Sequence, residues 1–325
     1  MNPPPIGGYF ELEFPQTRPI KKRSAFEFQT ARASLLALLR ASNFKRVWMP
    51  YYICDAMLDA VQVAGMEACF YSINDHFGIR NPIELDKSDL LLFVNYFGVC
   101  SHSVQDVLSQ YNASQIVLDC SQAFYFDNAN CLACIYSPRK FFGLPDGGLL
   151  VSKLSIPVPT EVDQGSQFRM QHLIKRLYGS PESGYPDYLE AEASLSEPEP
   201  KQMSKLTRRI FLSIDYDSAR IRRNHNFSVL HKSLRYTNLI NVELASVDGP
   251  LCYPYLCRNN SLKKKLIANR VFIPTYWKEV LSRVSDTSFE KQLVENCLPL
   301  PCDQRYDHRS MMRLVDILQS CAQGI

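Results

Sequence analysis

The chain has 325 residues and a mass of 37.2 kDa, a length that predicts about two domains or one large α/β domain with an appendage. Its hydrophobic fraction of 46% and charged fraction of 21% are typical of a soluble globular protein. The 36 lysines and arginines nearly balance the 33 aspartates and glutamates, which gives a net charge of +3. This balance argues against a nucleic-acid-binding protein and against strong attraction to a membrane surface.

Hydropathy and cysteine usage predict a cytoplasmic protein. No apolar run approaches the roughly 18 residues of a membrane span, and the first residues, MNPPP, do not resemble a secretory signal. The 11 cysteines lie mostly in apolar stretches, so we expect reduced, buried thiols rather than a disulfide framework. Cys131 and Cys134 form a CxxC pair, but no second pair completes a four-ligand zinc site, so we expect no metal.

The first half of the chain alternates apolar strand-like runs with amphipathic helix-like stretches. Mostly continuous apolar runs are typical of strands in a sheet that is covered on both faces. We therefore predict an α/β fold with a large, mostly parallel sheet and helices on both faces. The predicted strands are 46–50, 68–73, 90–95, 115–119, 131–137 and 148–152, and the predicted helices are 31–42, 52–64 and 102–111.

The alternation stops after residue 152. Residues 155–205 contain Pro-rich and acidic pieces, which predict long loops around one or two helices. A basic helical stretch follows, then a strand at 251–256, a helix at 261–269 and a last helix at 308–321. We predict a large α/β domain over 1–224, with the irregular segment 155–205, and a small C-terminal α+β domain over 225–325.

Polar residues follow three of the predicted strands, where ligands of open α/β sheets bind. They are Asn95, Asp119 and the run from Ser137 to Lys140. Two phenylalanines and a glycine-rich turn follow Lys140, so we expect a poorly solvated amine with a lowered pKa, suited to attack a carbonyl. A lysine and a carboxylate of this kind are what pyridoxal phosphate (PLP) requires. A solvated loop lysine and a strand-end cap are the alternative interpretations of Lys140 and Asp119.

A phosphate group would need a helix N-terminus, and the start of the first helix offers one. Thr30 is a candidate N-cap, and the small Ala31 leaves the first-turn amides accessible to an anion. Ser137 could add a hydroxyl. An ordinary capped core helix is the alternative interpretation of this segment.

Six segments resemble the DegT/DnrJ/EryC1/StrS aminotransferase family of fold-type I PLP-dependent enzymes. Residues 30–35 (TARASL) resemble its phosphate turn, 119–123 (DCSQA) its Asp-x-Ala-Gln-Ala motif, and 137–148 its Schiff-base lysine segment. Residues 50–54 (PYYIC), 95–98 (NYFG) and 298–306 resemble its Pro-x-Tyr/Phe, Tyr-Phe-Gly and Leu-Pro segments. The departures are Ala31 in place of glycine, Phe141 in place of asparagine, a loop from 140 to 148 that is one residue shorter, and the unmatched segment 155–205.

The resemblance implies roles for particular residues. Lys140 would form the Schiff base and move the proton during transamination, and Asp119 would pair with the pyridine nitrogen. The phosphate would be held by Thr30, Ala31, Arg32 and Ser137. Asn95 and Gln122 would lie near the ring, and Tyr51 or Tyr52 would cover it.

The resemblance also implies a function. We expect transfer of an amino group from an amino acid such as glutamate to a nucleotide-linked keto-sugar, in a cytoplasmic homodimer with its active site at the subunit interface. The family's common setting is polysaccharide biosynthesis. Arg222 or Arg223 would be candidates to contact a substrate diphosphate or the partner subunit. The alternative interpretation is that these arginines lie on a solvated helix face. A non-catalytic scaffold and another PLP-dependent reaction on a small amino acid are the alternative functions.

Overall fold

The computed structural model describes residues 12–15, 25–127, 130–259 and 261–323. Residues 1–5, in which no export signal was expected, lie outside this part of the chain. The first half builds the large sheet and its helices. In chain order they are β1 (Phe26–Phe28), α1 (Ala31–Arg40), β2 (Arg46–Pro50), α2 (Asp55–Val63), β3 (Glu67–Tyr71), β4 (Asp89–Val94), α3 (Ser101–Gln110), β5 (Ile116–Asp119), β6 (Ala133–Tyr136) and β7 (Gly148–Ser152), with short 3-10 turns at Tyr96–Gly98, Ala113–Gln115 and Pro138–Lys140.

The seven-stranded sheet has the order β1-β7-β6-β5-β4-β2-β3. Strands β2 to β6 are mutually parallel, β7 runs antiparallel to β6, and β1 runs antiparallel to β7. Every residue of β4, β5 and β6 is buried, which is the pattern of strands covered on both faces. The predicted mostly parallel α/β sheet is confirmed. The three-residue edge strand β1 was not predicted.

Residues 155–205 contain more helix than the sequence analysis predicts. The helices are α4 (Ser166–Arg169), α5 (Gln171–Tyr178) and α6 (Pro181–Ala193). Pro181 occupies the first turn of α6, where proline costs no hydrogen bond. Gly184 allows close packing, because a Cβ there would lie 2.9 Å from the carbonyl oxygen of His172. Proline and glycine, which are typical of loops, therefore begin a helix here at Pro181 and allow close packing against α5 at Gly184.

The rest of the chain forms α7 (Lys205–Phe211), α8 (Tyr216–Leu234), β8 (Cys252–Leu256), α9 (Leu262–Ala268), α10 (Phe289–Asn296), β9 (Cys297–Pro301) and α11 (His308–Gln323). Strands β8 and β9 pair antiparallel in a separate two-stranded sheet. Helix α8 runs unbroken across the predicted domain boundary at 224/225. Within the described residues, no helix has both the length and the apolar character needed to cross a membrane.

Candidate active site

The carboxyl ends of β4 and β5 bring two of the predicted polar residues together. Asp119 ends β5 in register with Val94 on one side and Ile135 on the other. The backbone amide of Asn95, which follows β4, donates to the carbonyl oxygen of Asp119 at 3.0 Å. The Asp119 carboxylate is 5% exposed and accepts a hydrogen bond from the amide of Ser121 at 2.8 Å. A carboxylate is therefore held, nearly buried, at this edge of the sheet.

Two buried side-chain amides lie at the same edge, and each has a donor without a partner. Asn95 Oδ1 accepts from the amide of Cys100 at 3.3 Å, and Gln122 Oε1 accepts from the amide of Phe97 at 2.9 Å. Both side chains are 1% exposed, yet neither Asn95 Nδ2 nor Gln122 Nε2 has a hydrogen-bond partner within the described residues. An unpaired buried donor is costly, so each such group requires an explanation. A ligand that carries acceptor atoms would satisfy both.

The start of α1 has the predicted anion-binding geometry. Thr30 is its N-cap, and Thr30 Oγ1 accepts from the amide of Ala33 at 3.0 Å. The first backbone hydrogen bond of the helix runs from the amide of Ser34 to the carbonyl oxygen of Thr30. The amides of Ala31 and Arg32 lie before this bond, so the helix itself offers them no acceptor. The guanidinium of Arg32 is already engaged, since it donates to the carbonyl of Ser196 and lies 3.7 Å from the Asp59 carboxylate. Besides its backbone amide, Arg32 keeps its Nε, which is buried and has no hydrogen-bond partner within the described residues.

Two glycines connect this helix start to the loop that follows Lys140. The amide of Gly147 donates to the carbonyl of Gln29 at 2.7 Å. A Cβ on Gly148 would lie 2.2 Å from the carbonyl carbon and oxygen of Thr30, closer than any side chain tolerates. The predicted phosphate turn and the predicted lysine loop are thus packed backbone to backbone.

The structure corrects the expected environment of Lys140. The lysine ends the 3-10 turn Pro138–Lys140, its amide donates to the carbonyl of Ser137 at 3.1 Å, and its side chain is exposed rather than poorly solvated. The two following phenylalanines, Phe141 and Phe142, are buried around Phe124 with centroid separations of 5.7 and 5.1 Å. Because the aromatic rings fill the core side of the turn, the amine is left on the open side. Ser137 itself is buried.

Cys54 lies within electrostatic range of both Lys140 and Asp119. Burial raises the pKa of the half-buried Cys54 thiol, the Lys140 charge lowers it, and the Asp119 and Glu279 carboxylates raise it. Both predicted catalytic charges therefore act on one thiol, which the sequence analysis overlooked. Cys54 is the residue before α2 and follows strand β2 at the same sheet edge, so the rule on strand ends could have found it.

The two tyrosines expected to cover a cofactor have other neighbours in the structure. Tyr51 stacks on Phe70 at 5.2 Å, and the buried Tyr52 packs against Tyr96 at 5.5 Å and Trp277 at 4.8 Å. Within the segment 50–54, it is the thiol of Cys54 whose pKa the Lys140 charge lowers.

Three polar side chains brace the lysine loop. Arg139 forms an ion pair with Glu192 on α6, and Gln304 Nε2 donates to the carbonyl oxygen of Phe141 at 2.8 Å. Arg223 is 1% exposed and donates to the carbonyls of Phe141, at 2.9 Å, and of Pro250, also at 2.9 Å. Arg223 is therefore a buried side chain that supports the lysine loop and is not available to a diphosphate, whereas the other candidate, Arg222, is exposed and stays a prediction.

These residues fit PLP as a group. A buried carboxylate suits a protonated ring nitrogen, the unpaired amide donors suit ring oxygens, the first turn of α1 suits a phosphate, and an accessible lysine amine suits an aldehyde. The residues that supply these features are Asp119, Asn95, Gln122, Thr30, Ala31 and Lys140.

Sequence comparison alone finds no relative, because no family model and no curated protein matches the chain. Solved structures do match. DesV from S. venezuelae, in complex with a ketimine intermediate, is 16% identical with a TM-score of 0.63, over 93% of this chain and 85% of that one. The putative sugar aminotransferase Spr1654 from Streptococcus pneumoniae, in its PMP form, is 12% identical with a TM-score of 0.64, over 95% and 92%.

A DegT/DnrJ/EryC1/StrS aminotransferase from Brucella abortus is 13% identical with a TM-score of 0.55, over 91% of this chain and 85% of that one. At these identities the likeness concerns the fold. The structural resemblance expected from the sequence motifs is confirmed, and the chain has the fold-type I architecture of PLP-dependent sugar aminotransferases.

Proposed function

We propose that this chain is a PLP-dependent aminotransferase of the DegT/DnrJ/EryC1/StrS family that transfers an amino group from an amino acid such as glutamate to a nucleotide-linked keto-sugar. The observation that carries the proposal is the pair of unpaired amide donors, Asn95 Nδ2 and Gln122 Nε2, at the sheet edge where the buried Asp119 carboxylate lies. The exposed Lys140 acts electrostatically on the same thiol, Cys54, as Asp119 does. The shared fold with solved sugar aminotransferases supports the substrate class.

PLP, when bound, supplies an electrophilic carbonyl and a ring that accepts electrons. Asp119 holds a proton at the ring nitrogen, which keeps the ring electron-poor. Asn95 and Gln122 donate to acceptor atoms of the ring, and the amides of Ala31 and Arg32, with the Ser137 hydroxyl, bind the phosphate. Lys140 Nζ would hold the group at its aldehyde, and the lysine amine would move the proton away from the donor Cα.

The Lys140→Ala variant tests the assignment of the lysine. We expect wild-type protein mixed with PLP to show visible absorbance and, after borohydride reduction, a pyridoxyl group on the peptide that contains Lys140. The variant should show neither, whereas Lys153→Ala, which changes another exposed lysine after β7, should behave as wild type. An unchanged spectrum in the Lys140 variant would refute the proposal.

A half-reaction assay tests turnover. Mixing the PLP-loaded protein with a panel of amino acids should bleach the visible band with at least one donor, and a keto-sugar nucleotide should restore it. A protein that binds PLP but reacts with no donor would instead be a non-catalytic scaffold.

We further propose a cytoplasmic homodimer whose active site lies at the subunit interface, as the family resemblance implies. Apolar side chains exposed on the helical segment after β7 support it: Phe168 is 74% exposed, Leu177 82% and Tyr178 87%. Sedimentation equilibrium should give twice the chain mass of 37.2 kDa. A monomer at micromolar concentration would overturn this part of the proposal.

A further inference from the structure

The CxxC pair, Cys131 and Cys134, brings two thiols into contact apart from the residues assigned to the active site. Cys131 Sγ lies 3.4 Å from Cys134 Sγ, within hydrogen-bond distance for sulfur. Cys131 Sγ also donates to the carbonyl oxygen of Ala133 at 3.3 Å. Within the described part of the chain, no group of three or more histidine, cysteine or acidic side chains could hold a metal ion. The chemistry left to this pair is that of a dithiol.

A bend at residues 130–132 places the two thiols side by side. In a regular strand, side chains three positions apart point to opposite faces of the sheet. Here the chain bends just before β6, and the backbone of Leu132 is held from both sides. Its amide donates to the carbonyl of Ile116, and its carbonyl accepts from the amide of Lys153, each at 2.9 Å. The two neighbouring strands therefore hold the thiols in contact.

The spacing of the two cysteines favours a redox role over a structural one. A bond between them would close a loop of only four residues. The chain-entropy stabilisation that a disulfide gives grows with loop length, so this loop would add little to the stability of the fold. Two cysteines separated by two residues are instead typical of thiols that are oxidised and reduced reversibly.

Cys131 is the more accessible of the two thiols. It is 3% exposed, against 1% for Cys134, and it directly follows the exposed Asn130. The hydrogen bond with Cys134 and burial raise the pKa of Cys131, and the charge of the exposed Lys153 opposes this shift. A thiol whose pKa is raised attacks slowly and is a poor leaving group. We therefore expect slow oxidation and a disulfide that resists reduction once it has formed.

The pair lies at the start of a central strand. Cys134 is in register with Leu118 on β5 and with Val151 on β7. The next residue, Ile135, is in register with Asp119. A bond between the two thiols would therefore form within the sheet that carries the candidate active site, and not on a surface loop.

We propose that Cys131 and Cys134 are a modification site at which a peroxide forms a reversible disulfide. Cys131 loses its proton, and its sulfur attacks one peroxide oxygen, which breaks the O–O bond and leaves a sulfenic acid and hydroxide. The hydroxide takes up the proton as water. The Cys134 sulfur then attacks the Cys131 sulfur, the S–O bond breaks, and the Cys134 proton leaves with the oxygen as a second water. The two thiols lose two electrons, which the peroxide gains.

Differential labelling of the full chain after treatment with hydrogen peroxide tests this proposal. Thiols that remain are blocked with N-ethylmaleimide in denaturant, disulfides are then reduced, and the released thiols are labelled with iodoacetamide. We expect Cys131 and Cys134 to carry the second label in equal amounts, and excess dithiothreitol before blocking to remove it. Both lie in one tryptic peptide, between Lys87 and Arg139, so without reduction this peptide should lack two hydrogen atoms.

Three single substitutions assign the roles of the thiols. Cys131→Ser should remove the second label from Cys134. Cys134→Ser should remove it from Cys131, which should instead accumulate a sulfenic acid that dimedone traps. Cys69→Ser is the matched control, because Cys69 is a half-buried cysteine on β3 whose thiol faces Glu67, and it should leave the labelling of the pair unchanged.

Absence of the second label from the pair, or a bond from either cysteine to another one such as Cys120, would overturn the proposal. Dimedone trapping at Cys134 in the Cys131→Ser protein would overturn the assignment of the attacking thiol. The labelling of the wild-type chain decides the main question even if a serine variant fails to fold. Because the measurement reads thiols and not the cofactor, failure of the proposed function would leave its result unchanged.

Discussion

Lys140 and Arg223 are two cations beside the same phenylalanine, and their environments are opposite. Lys140 directly precedes Phe141 and is exposed, whereas the guanidinium of Arg223 lies 4.7 Å from the centroid of the Phe141 ring and is 1% exposed. Residue type and neighbours in sequence predict the reverse: a hidden lysine and a solvated arginine. The outcome depends on partners distant in sequence, since Pro250 and Leu251 accept hydrogen bonds from Arg223.

Replacing Arg223 with methionine tests whether its buried hydrogen bonds stabilise the fold. Methionine keeps most of the apolar stem but leaves the carbonyls of Phe141, Pro250 and Leu251 without this donor. We expect the free energy of unfolding to fall by about 3 kcal/mol, measured by urea denaturation. Arg222→Met, at the exposed neighbouring position, should change it by less than about 0.5 kcal/mol. Equal effects of the two substitutions would refute the assignment.

At the scale of elements, the site depends on the close approach of β7 to the start of α1. Gly148 is the first residue of β7 and pairs with Phe28 in β1, and there is no space for a side chain between its Cα and the Thr30 carbonyl. The N-cap of α1 and the loop after Lys140 are therefore fixed relative to each other by a glycine.

The Gly148→Ala variant should separate these two elements. Overpacking typically costs about 1–3 kcal/mol of stability, and displacement of Thr30 and Ala31 should also weaken PLP binding, measured by fluorescence titration. Gly143→Ala, whose Cβ would meet only ordinary van der Waals contact, serves as the control for stability. If Gly148→Ala leaves both stability and affinity unchanged, the close packing is not required.

At the scale of the whole molecule, an ion pair between the partly exposed Arg46 and the buried Asp89 connects two parallel strands. Asp89 at the start of β4 is 0% exposed and accepts from Arg46 Nε on β2 at 2.7 Å and from Trp48 Nε1 at 3.2 Å. Burial opposes ionisation of Asp89, but its hydrogen bonds, chiefly from Arg46, outweigh burial and lower its pKa. The folded protein thus holds this carboxylate ionised more strongly than the unfolded chain does.

This shift sets the sign of a pH dependence. The pKa of Asp89 is lower in the folded protein than in the unfolded chain, where it is about 4. The stabilisation that ionised Asp89 contributes is therefore complete above the unfolded pKa and is lost as pH falls through the folded pKa. Asp89→Asn should lower the free energy of unfolding by about 2 kcal/mol at pH 7. The difference from wild type should shrink between pH 5 and pH 3 in urea denaturation. A difference independent of pH would show that Asp89 acts only through packing.

The sequence by itself determined the parallel sheet, because its strands are buried on both faces and read as continuous apolar runs between amphipathic helices. It also predicted that Thr30, Asn95, Asp119 and Lys140 lie at the ends of strands or helices, because polar residues that follow an apolar run are typical of such ends. Only the tertiary structure decided that Lys140 is exposed, that the charges of Lys140 and Asp119 both act on Cys54, and that the proline- and glycine-containing segment after residue 155 is helical. Burial and charge pairing depend on contacts between distant parts of the chain, and no local pattern encodes those contacts.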